Sequence, residues 1–321
     1  MKQLTKRTIT IYKSFVCCLI VSISCLITAC GSSSGTDVSS IDITSSATNG
    51  RTNVTTVLVP VAEGTSTIAS DDAVIDYSNA SEGYIVFRYT GDSRKVKLQL
   101  TGADQVTYTY NILNSDNTVI PLSAGSGSYD ISVYENISND QYAINMSESI
   151  DVTIMNEFGP FLYPNQYVNF TEDTNAVKIA EEVVKDATCD LEAVSMVYEY
   201  VIDNVVYDHE EAETVESNYL PDVDEVLSTG KGICFDYASL MAAMLRSQGI
   251  PTRLEIGYAK DAYHAWISVY TQDQGWIGGV IQFNGINWSL MDPTLASNSK
   301  DIGKIKNFIG DGSTYTVKYM Y

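Results

Sequence analysis

A short stretch at residues 230–241 (Gly-Lys-Gly-Ile-Cys-Phe-Asp-Tyr-Ala-Ser-Leu-Met) constrains the fold more than any other part of the chain. Its glycines predict a turn, and Cys234 follows that turn directly. Apolar residues then recur at the three- and four-residue steps of one helical face, which predicts a helix. Arg246, Gly249 and Pro251 indicate where this helix ends. Cys234 is therefore expected at a helix N-terminus, where unpaired N–H groups and the helix dipole favour a thiolate.

Two segments downstream carry the side chains that a nucleophilic thiol needs. Such a thiol requires a base that takes its proton, and the base requires a third group that fixes its tautomer. His264 opens one strand-like segment, and Asp292 ends another. The chain has only two histidines, so the choice of base is narrow. A lone cysteine is usually a small buried hydrophobe, and it is the order Cys, His, Asp that favours catalysis here.

These segments resemble the transglutaminase-like superfamily, whose members have a papain-like core with a Cys-His-Asp triad. The matching pieces are Gly-Lys-Gly-Ile-Cys at 230–234, His-Ala-Trp at 264–266, Trp-x-x-x-Asp-Pro-Thr at 288–294 and Asn-Val-Val-Tyr-Asp at 204–208. The resemblance covers roughly residues 175–300. It implies that Cys234 is the nucleophile, that His264 holds its proton and that Asp292 orients His264.

The resemblance also implies a reaction class, which is attack on a peptide or protein amide with a thioester intermediate. Water as the second reactant gives a protease or amidase, and a lysine amine gives a crosslink; the triad does not choose between them. The N–H of Cys234 is the expected first oxyanion donor, and Tyr207 is a candidate second donor by position. Trp266 and Trp288 are expected to pack around the site.

Two other readings of the same residues stay open. The fold could serve as a non-catalytic surface scaffold or adhesin that binds proteins or cell wall, although the intact triad favours an enzyme. Cysteine, histidine and aspartate are all zinc ligands, so the same three residues could form a zinc site, but the resemblance accounts for Cys234, His264 and Asp292 without a metal. No cofactor or metal is expected, and calcium is not carried over from the family because no EF-hand-type loop is present.

The N-terminal sequence indicates a targeting segment. Basic residues precede an apolar run at 15–27 that is too short for a confident membrane span and is typical of a signal-peptide core. The run ends in Leu-Ile-Thr-Ala-Cys at 26–30, which resembles a bacterial lipobox. Cleavage before Cys30 and lipidation of Cys30 would anchor the protein on the extracytoplasmic face of the cell membrane. The alternative is an ordinary secretory signal in which Cys30 is incidental.

Net charge limits the expected binding partners, and cysteine content limits the expected disulfides. The formal net charge is −21, from 19 Lys+Arg against 40 Asp+Glu, which argues against nucleic acid as a partner. A peptide or protein substrate is expected, with cell-wall or surface proteins as further candidates. Of six cysteines, only Cys189 and Cys234 lie beyond the proposed signal peptide and lipidation site. A disulfide between them would silence the nucleophile and is not expected.

The chain length suits about two domains, and composition divides it into four parts. We predict a lipoprotein signal peptide at 1–29, a Ser/Thr/Gly-rich tether at 30–53, an all-β, Ig-like sandwich at 54–155 and an α+β papain-like/transglutaminase-like domain at 156–321. Short β-prone runs separated by turn formers indicate the sandwich, which is expected to act as a spacer or docking module. The proline-bearing connector at 156–176 is expected to pack between the domains.

Secondary structure around the Cys motif follows from periodicity. Helices are predicted at 177–187, at 191–205 with Asp190 as N-cap, and at 222–227. The other histidine, His209, lies in an acidic run that predicts a solvated loop. Strands are predicted at 252–258, 264–270, 276–283, 287–292 and 315–321, and, in the β-rich part, a first strand is predicted at 54–61.

Overall fold

The computed structural model describes residues 50–93, 95–113, 115–272, 274–278, 281–283, 288–290 and 315–321. All of them belong to one unit, Asp37–Tyr321. The predicted signal peptide, the predicted lipidation site Cys30 and the predicted catalytic residue Asp292 lie outside the described residues. Within the described ranges, no helix is long and apolar enough to cross a membrane.

Eight strands form two four-stranded antiparallel sheets in the N-terminal half. Buried side chains alternate with half-buried ones along β4 because successive side chains of a strand point to opposite faces. The sheet orders are β1-β2-β3-β6 and β5-β4-β7-β8. The strands are β1 (Thr67–Ala69), β2 (Ala73–Asp76), β3 (Tyr84–Tyr89), β4 (Val96–Thr101), β5 (Thr107–Ile112), β6 (Thr118–Pro121), β7 (Gly127–Ser138) and β8 (Gln141–Val152).

The C-terminal half packs helices against a third four-stranded antiparallel sheet. Its elements are α1 (Asn175–Val184), α2 (Asp190–Asn204), β9 (Val206–Tyr207), α3 (His209–Thr214), α4 (Val223–Thr229), β10 (Lys231–Gly232), α5 (Cys234–Arg246), β11 (Thr252–Ala259), β12 (Ala262–Thr271), β13 (Gly275–Gly278), β14 (Ile281–Phe283), β15 (Trp288–Leu290) and β16 (Tyr315–Met320). The main sheet has the order β13-β12-β11-β16, and α5 packs against β12, β11, α1 and α2. This is the α+β arrangement that the sequence predicts.

Helix α5 is the central element of this half. Every residue of α5 from Asp236 onward is buried. The helix ends where the sequence predicts: Gly249 adopts a φ of +72°, and the N–H groups of Gly249 and Ile250 donate to the carbonyls of Arg246 and Leu245. A left-handed glycine is the usual way to satisfy the last carbonyls of a helix.

Arg246 fixes the C-terminal end of α5 from inside the core. It is 1% exposed, and burial lowers the pKa of its guanidinium to about 9. The guanidinium donates to the carbonyl oxygens of Thr252, Tyr163 and Tyr321 at 2.7–3.0 Å. The end of α5 is thereby joined to β11, to the connector and to the residue after β16.

The connector between the two halves is packed, as its aromatic content predicts. Phe158 contacts Tyr270 of β12 at a ring-centroid distance of 4.4 Å. Phe161 contacts Trp276 of β13 at 5.2 Å, and the Arg253 guanidinium lies 3.6 Å from the Trp276 ring centroid. These contacts attach the connector to the C-terminal sheet.

An N-terminal strap, residues 50–57, lies on the ends of three helices. Arg51 donates to the Asp190 carboxylate at 2.5 Å and to the Gln248 carbonyl at 2.7 Å. The Asn53 amide donates to the carbonyls of Lys185 and Ala187, just beyond α1. The last residues of the predicted tether are therefore held against the C-terminal half.

Three local predictions from the sequence were wrong. Residues 54–61 form no strand, because the backbone of Thr56 pairs with Ser247 and Val61 donates to the Tyr84 hydroxyl instead of to a neighbouring strand. His209 begins helix α3, since Asp208 accepts from the N–H groups of two following residues and caps that helix. Asp190 is not the N-cap of α2; Cys189 occupies that position, and Asp190 pairs with Arg51.

Arg51→Ala is expected to lower the free energy of unfolding by about 1 to 3 kcal/mol, because it removes hydrogen bonds from a side chain that is only 5% exposed. The measurement is urea-induced unfolding. Lys185→Ala is the matched control, because Lys185 pairs with Glu182 on an exposed surface and its loss is expected to leave the midpoint unchanged. Equal midpoints for Arg51→Ala and the wild type would show that the strap does not stabilise the fold.

Candidate active site

Cys234 is placed by the elements on either side of it. Helix α4 ends at Gly230, whose φ of +64° suits glycine, and the chain then pairs β10 with β9 in parallel. Ile233 is the N-cap of α5, and Cys234 is the first helical residue. The thiol is free and half-buried. It therefore lies where the first N–H groups of a helix lack intrahelical partners, as the sequence predicts.

Asp236 organises the first turn of α5. Isoleucine has no side-chain acceptor for capping, and the Asp236 carboxylate instead folds back to accept from the N–H of Ile233 at 2.8 Å. The Tyr219 hydroxyl donates to the other carboxylate oxygen at 2.7 Å. A Cβ on Gly232 would lie 2.7 Å from the Asp236 Cβ, so only glycine fits at that position.

The environment of Asp236 favours its protonated form. Burial raises the pKa of its carboxyl to about 6, while the hydrogen bonds from Tyr219 and Ile233 oppose this rise. Burial and the Asp236 hydrogen bond also raise the pKa of the Tyr219 hydroxyl. The carboxyl is fully buried two residues from Cys234, so its ionisation affects the turn that holds the thiol.

His264 is half-buried on β12, opposite Gly257 of β11. A Cβ on Gly257 would lie 2.0 Å from the Thr316 carbonyl oxygen, so this glycine allows β16 to pair closely with β11. The His264 ring is stacked with Trp266 at a ring-centroid distance of 6.2 Å. Trp266 is 3% exposed, which agrees with its predicted packing role.

Glu255 supports Trp266 from the neighbouring strand. The two residues face each other across β11 and β12, and Glu255 accepts hydrogen bonds from Ser268 and Trp266. Burial raises the pKa of the Glu255 carboxyl, and those two hydrogen bonds oppose the rise. The indole beside His264 is thus held by a buried carboxyl on the neighbouring strand.

One cavity of about 560 Å³ brings the predicted nucleophile and base together. Cys234 and His264 both line it, and so do Tyr207 and Tyr219. Strand β15 is described as far as Leu290, and Asp292 lies outside the described residues. Two of the three predicted triad residues therefore share a cavity, and the position of the third stays a prediction.

The remaining sequence candidates lie elsewhere or play other parts. His209 is exposed on α3, its ring 5.0 Å from that of Tyr207, and does not line the cavity. Cys189 and Cys234 are both free thiols. In the part of the chain that the structure describes, no group of three or more His, Cys, Asp or Glu could hold a metal ion.

Several residues in and around this site were not predicted from the sequence. Asp236, which lies behind the cavity, could have been found, because an acidic residue three positions after the N-cap is one sign of a capping box. Thr109 and Asn111 of β5 line the cavity, although they lie far from Cys234 in sequence. No local signal marks those two residues, since their position results from packing between the two halves of the chain.

Comparison with known proteins agrees with this site. Residues 177–278 match the model of the transglutaminase-like superfamily. The match includes Cys234 and His264 and stops before Asp292. The chain therefore contains a transglutaminase-like domain at these residues. A cysteine-dependent enzyme is the class of protein that this domain supports.

Individual relatives are distant. The uncharacterised protein YebA of Bacillus subtilis (strain 168) is 29% identical over 118 residues, with 31% of this chain and 16% of that protein covered. The chain thus spans about a sixth of the length of that curated relative. A candidate cysteine protease from Cytophaga hutchinsonii is 14% identical with a TM-score of 0.34, covering 71% of this chain and 68% of that chain. Red sea bream transglutaminase is 13% identical with a TM-score of 0.30, covering 66% of this chain and 48% of that chain.

The raised pKa of Asp236 predicts a pH-dependent stability. Between about pH 4 and pH 6 the native state holds a proton that the unfolded chain releases, so the free energy of unfolding rises as the pH falls through this window. As the pH falls from about 6 to about 4, we expect the free energy of unfolding of the wild type to rise by about 1 to 3 kcal/mol relative to that of Asp236→Asn. The measurement is urea unfolding at several pH values.

Tyr219→Phe is the directional control for this prediction. Its hydroxyl donates a hydrogen bond that lowers the pKa of Asp236, so removing the hydroxyl should move the window to higher pH. A difference between wild type and Asp236→Asn that stays constant from pH 4 to pH 7 would contradict the assignment.

Proposed function

We propose that the protein is a membrane-anchored, extracytoplasmic thiol enzyme that acts on peptide or protein amide bonds. Cys234 is the nucleophile, His264 the proton carrier and Asp292 the group that orients His264. One observation carries the proposal: a free, half-buried thiol at the start of a buried helix shares a cavity with the histidine. The transglutaminase-like domain at residues 177–278 supports the roles of Cys234 and His264.

The first chemical step follows from this placement. The Cys234 thiol gives its proton to His264, and the resulting thiolate forms a C–S bond to the acyl carbon. The negative charge on the acyl oxygen is stabilised by the N–H of Cys234 at the helix N-terminus. Collapse breaks the C–N bond, and the His264 proton moves to the leaving amine. A thioester on Cys234 and a free amine are the products.

The second step decides between hydrolysis and acyl transfer. His264 removes a proton from water or from an amine, which attacks the thioester and releases Cys234 as the thiolate. Tyr207 is the proposed second oxyanion donor, and its half-buried position in the same cavity supports that role. Both outcomes use the same residues, so the nucleophile that reaches the cavity determines the reaction.

Anchoring and domain organisation complete the proposal. Lipidated Cys30 would hold the protein at the membrane, with residues 1–29 removed and residues 30–53 as the tether. The strap meets the C-terminal end of α5 at Ser247 and Gln248, and a helix of this length spans about 20 Å. The tether would therefore reach the folded part at the end of α5 that lies away from Cys234. We further propose that residues 54–155 form an Ig-like sandwich and that residues 156–321 form the catalytic domain.

The test is alkylation of the full chain, purified in detergent, with iodoacetamide across pH 5–9, with the modified cysteine located by peptide mass spectrometry. An ordinary thiol is mostly protonated at pH 6 and reacts slowly. Cys234 is expected to react at pH 6 at least about tenfold faster than Cys189, and His264→Ala should remove this difference. Cys189 serves as the internal control because it is also free and half-buried.

Equal reactivity of the two cysteines at pH 6 would overturn the proposed thiolate. It would favour the scaffold or adhesin alternative for this fold. Reactivity of Cys234 that survives His264→Ala would show that the helix N-terminus alone activates the thiol and that His264 is not its partner.

A further inference from the structure

Strand β5 of the N-terminal half contributes a wall to the cavity that holds Cys234. Thr109 and Asn111 line this cavity together with Cys234 and His264. We propose that this wall binds the peptide whose acyl group Cys234 accepts, and that Asn111 and Thr109 determine which peptides are accepted. The inference rests on the proposed thiol chemistry. It gives the β-rich half a part in substrate selection instead of the spacer role that its sequence suggests.

The two side chains point away from the core of their own sheet. Along β5 the side chains of Tyr108 and Tyr110 are buried, and those of Thr109 and Asn111 are half-buried on the other face. The Asn111 carbonyl accepts from the Gln166 amide at 2.6 Å, which fixes the backbone at this point. Within the described part of the chain, the Asn111 side-chain amide has no hydrogen-bond partner. A donor and an acceptor are thus presented together to whatever occupies the cavity.

A cluster of five tyrosines holds β5 in place beside the catalytic residues. Its members are Tyr108, Tyr110, Tyr167, Tyr319 and Tyr321. Tyr108 and Tyr110 belong to β5, Tyr167 to the connector, and the other two to the C-terminal strand region. The Tyr108 ring lies 5.5 Å from those of both Tyr319 and Tyr321, and the Tyr167 ring lies 4.5 Å from that of Tyr321.

The tyrosine cluster also reaches the Cys helix. Tyr167 contacts Phe235 at a ring-centroid distance of 5.6 Å, and its carbonyl accepts from the Ser239 hydroxyl at 2.6 Å. Buried aromatic packing of this kind leaves little freedom for one part to move against the other. The β5 wall is therefore set at a fixed position relative to Cys234, as a specificity site requires.

The lining of the cavity indicates the chemistry of the peptide. Its described lining contains aromatic rings, neutral polar groups and the carboxylate of Glu216, and no lysine or arginine. The whole chain carries a net charge of −21, which further repels anions. The cavity volume of about 560 Å³ lies in the range of ligand sites. The expected occupant is an extended peptide segment with neutral or basic side chains, whose main-chain amide pairs with the Asn111 amide.

The experiment compares a small electrophile with peptide electrophiles on the same thiol. Iodoacetamide needs only Cys234, whereas tetrapeptide chloromethyl ketones must also occupy the cavity. Two pools are used, one with neutral and basic side chains and one with acidic side chains. The protein variants are Asn111→Lys, Asn111→Ala and the control Thr107→Lys. Thr107 is on the same strand and the same face but is exposed and outside the cavity.

The wild type is expected to react faster with the neutral and basic pool than with the acidic one. Asn111→Lys should slow alkylation by that pool by about tenfold and Asn111→Ala by a smaller factor, because a buried hydrogen bond to the peptide is lost. Iodoacetamide rates should stay within about twofold, since the thiol itself is untouched. Thr107→Lys should change neither rate.

Two results would overturn the inference while leaving the thiol chemistry intact. One is a normal rate with the peptide pools in both Asn111 variants. The other is an equal loss in Thr107→Lys, which would trace the effect to added charge and not to the cavity wall. A wild-type Cys234 that is no more reactive than Cys189 towards iodoacetamide would instead overturn the proposed enzyme and the inference with it.

Discussion

The near-complete burial of helix α5 is the constraint on which the rest of the structure depends. A buried helix is stable only when the polar groups at its ends are satisfied. Asp236 accepts from the Ile233 N–H at one end, and at the other end the N–H groups of Gly249 and Ile250 donate to the carbonyls of Arg246 and Leu245. The Arg246 side chain donates to three further carbonyls outside the helix, and together these bonds fix the helix along its axis. Cys234, just ahead of Asp236, is consequently held at the edge of a cavity instead of inside the core.

Strand β12 of the C-terminal sheet, which packs against this helix, is also constrained by its neighbours. His264 lies on β12 beside the buried Trp266, and Gly257 opposite it allows β16 to close against β11. The C-terminal strand in turn carries Tyr319 into the tyrosine cluster that fixes β5. A single chain of contacts therefore runs from Cys234 and His264 to the N-terminal sheets. The two halves of the molecule act as one scaffold around the cavity.

Much of the site could be predicted from the sequence because its signals are local. The start of α5 follows from Gly230 and Cys234, and its end from Gly249 and Pro251, since glycine and proline have conformational preferences that need no tertiary context. Most strand positions followed from alternation. The helix at His209 could also have been found, because Asp208 is a good N-cap that the acidic run concealed.

Other features could not be read from the sequence because they arise from contacts between distant segments. In the β-prone segment 54–61, Thr56 pairs with Ser247 beyond α5 instead of with a strand, because Arg51 holds the strap there by binding Asp190 and Gln248. Nothing near Asn111 in sequence indicates that it lies beside Cys234 in space. The raised pKa of Asp236 depends on burial of its carboxyl, which is a property of the folded chain alone.

The most direct test of the account is detection of an acyl group on Cys234. The full chain is incubated with a pool of neutral peptide amides, quenched in acid and digested, and the Cys234 peptide is weighed by mass spectrometry. The account predicts an added acyl mass on Cys234 that hydroxylamine removes and that is absent in His264→Ala. Release of cleaved or crosslinked peptide by a Cys234→Ala variant, with no adduct on the wild-type thiol, would contradict it.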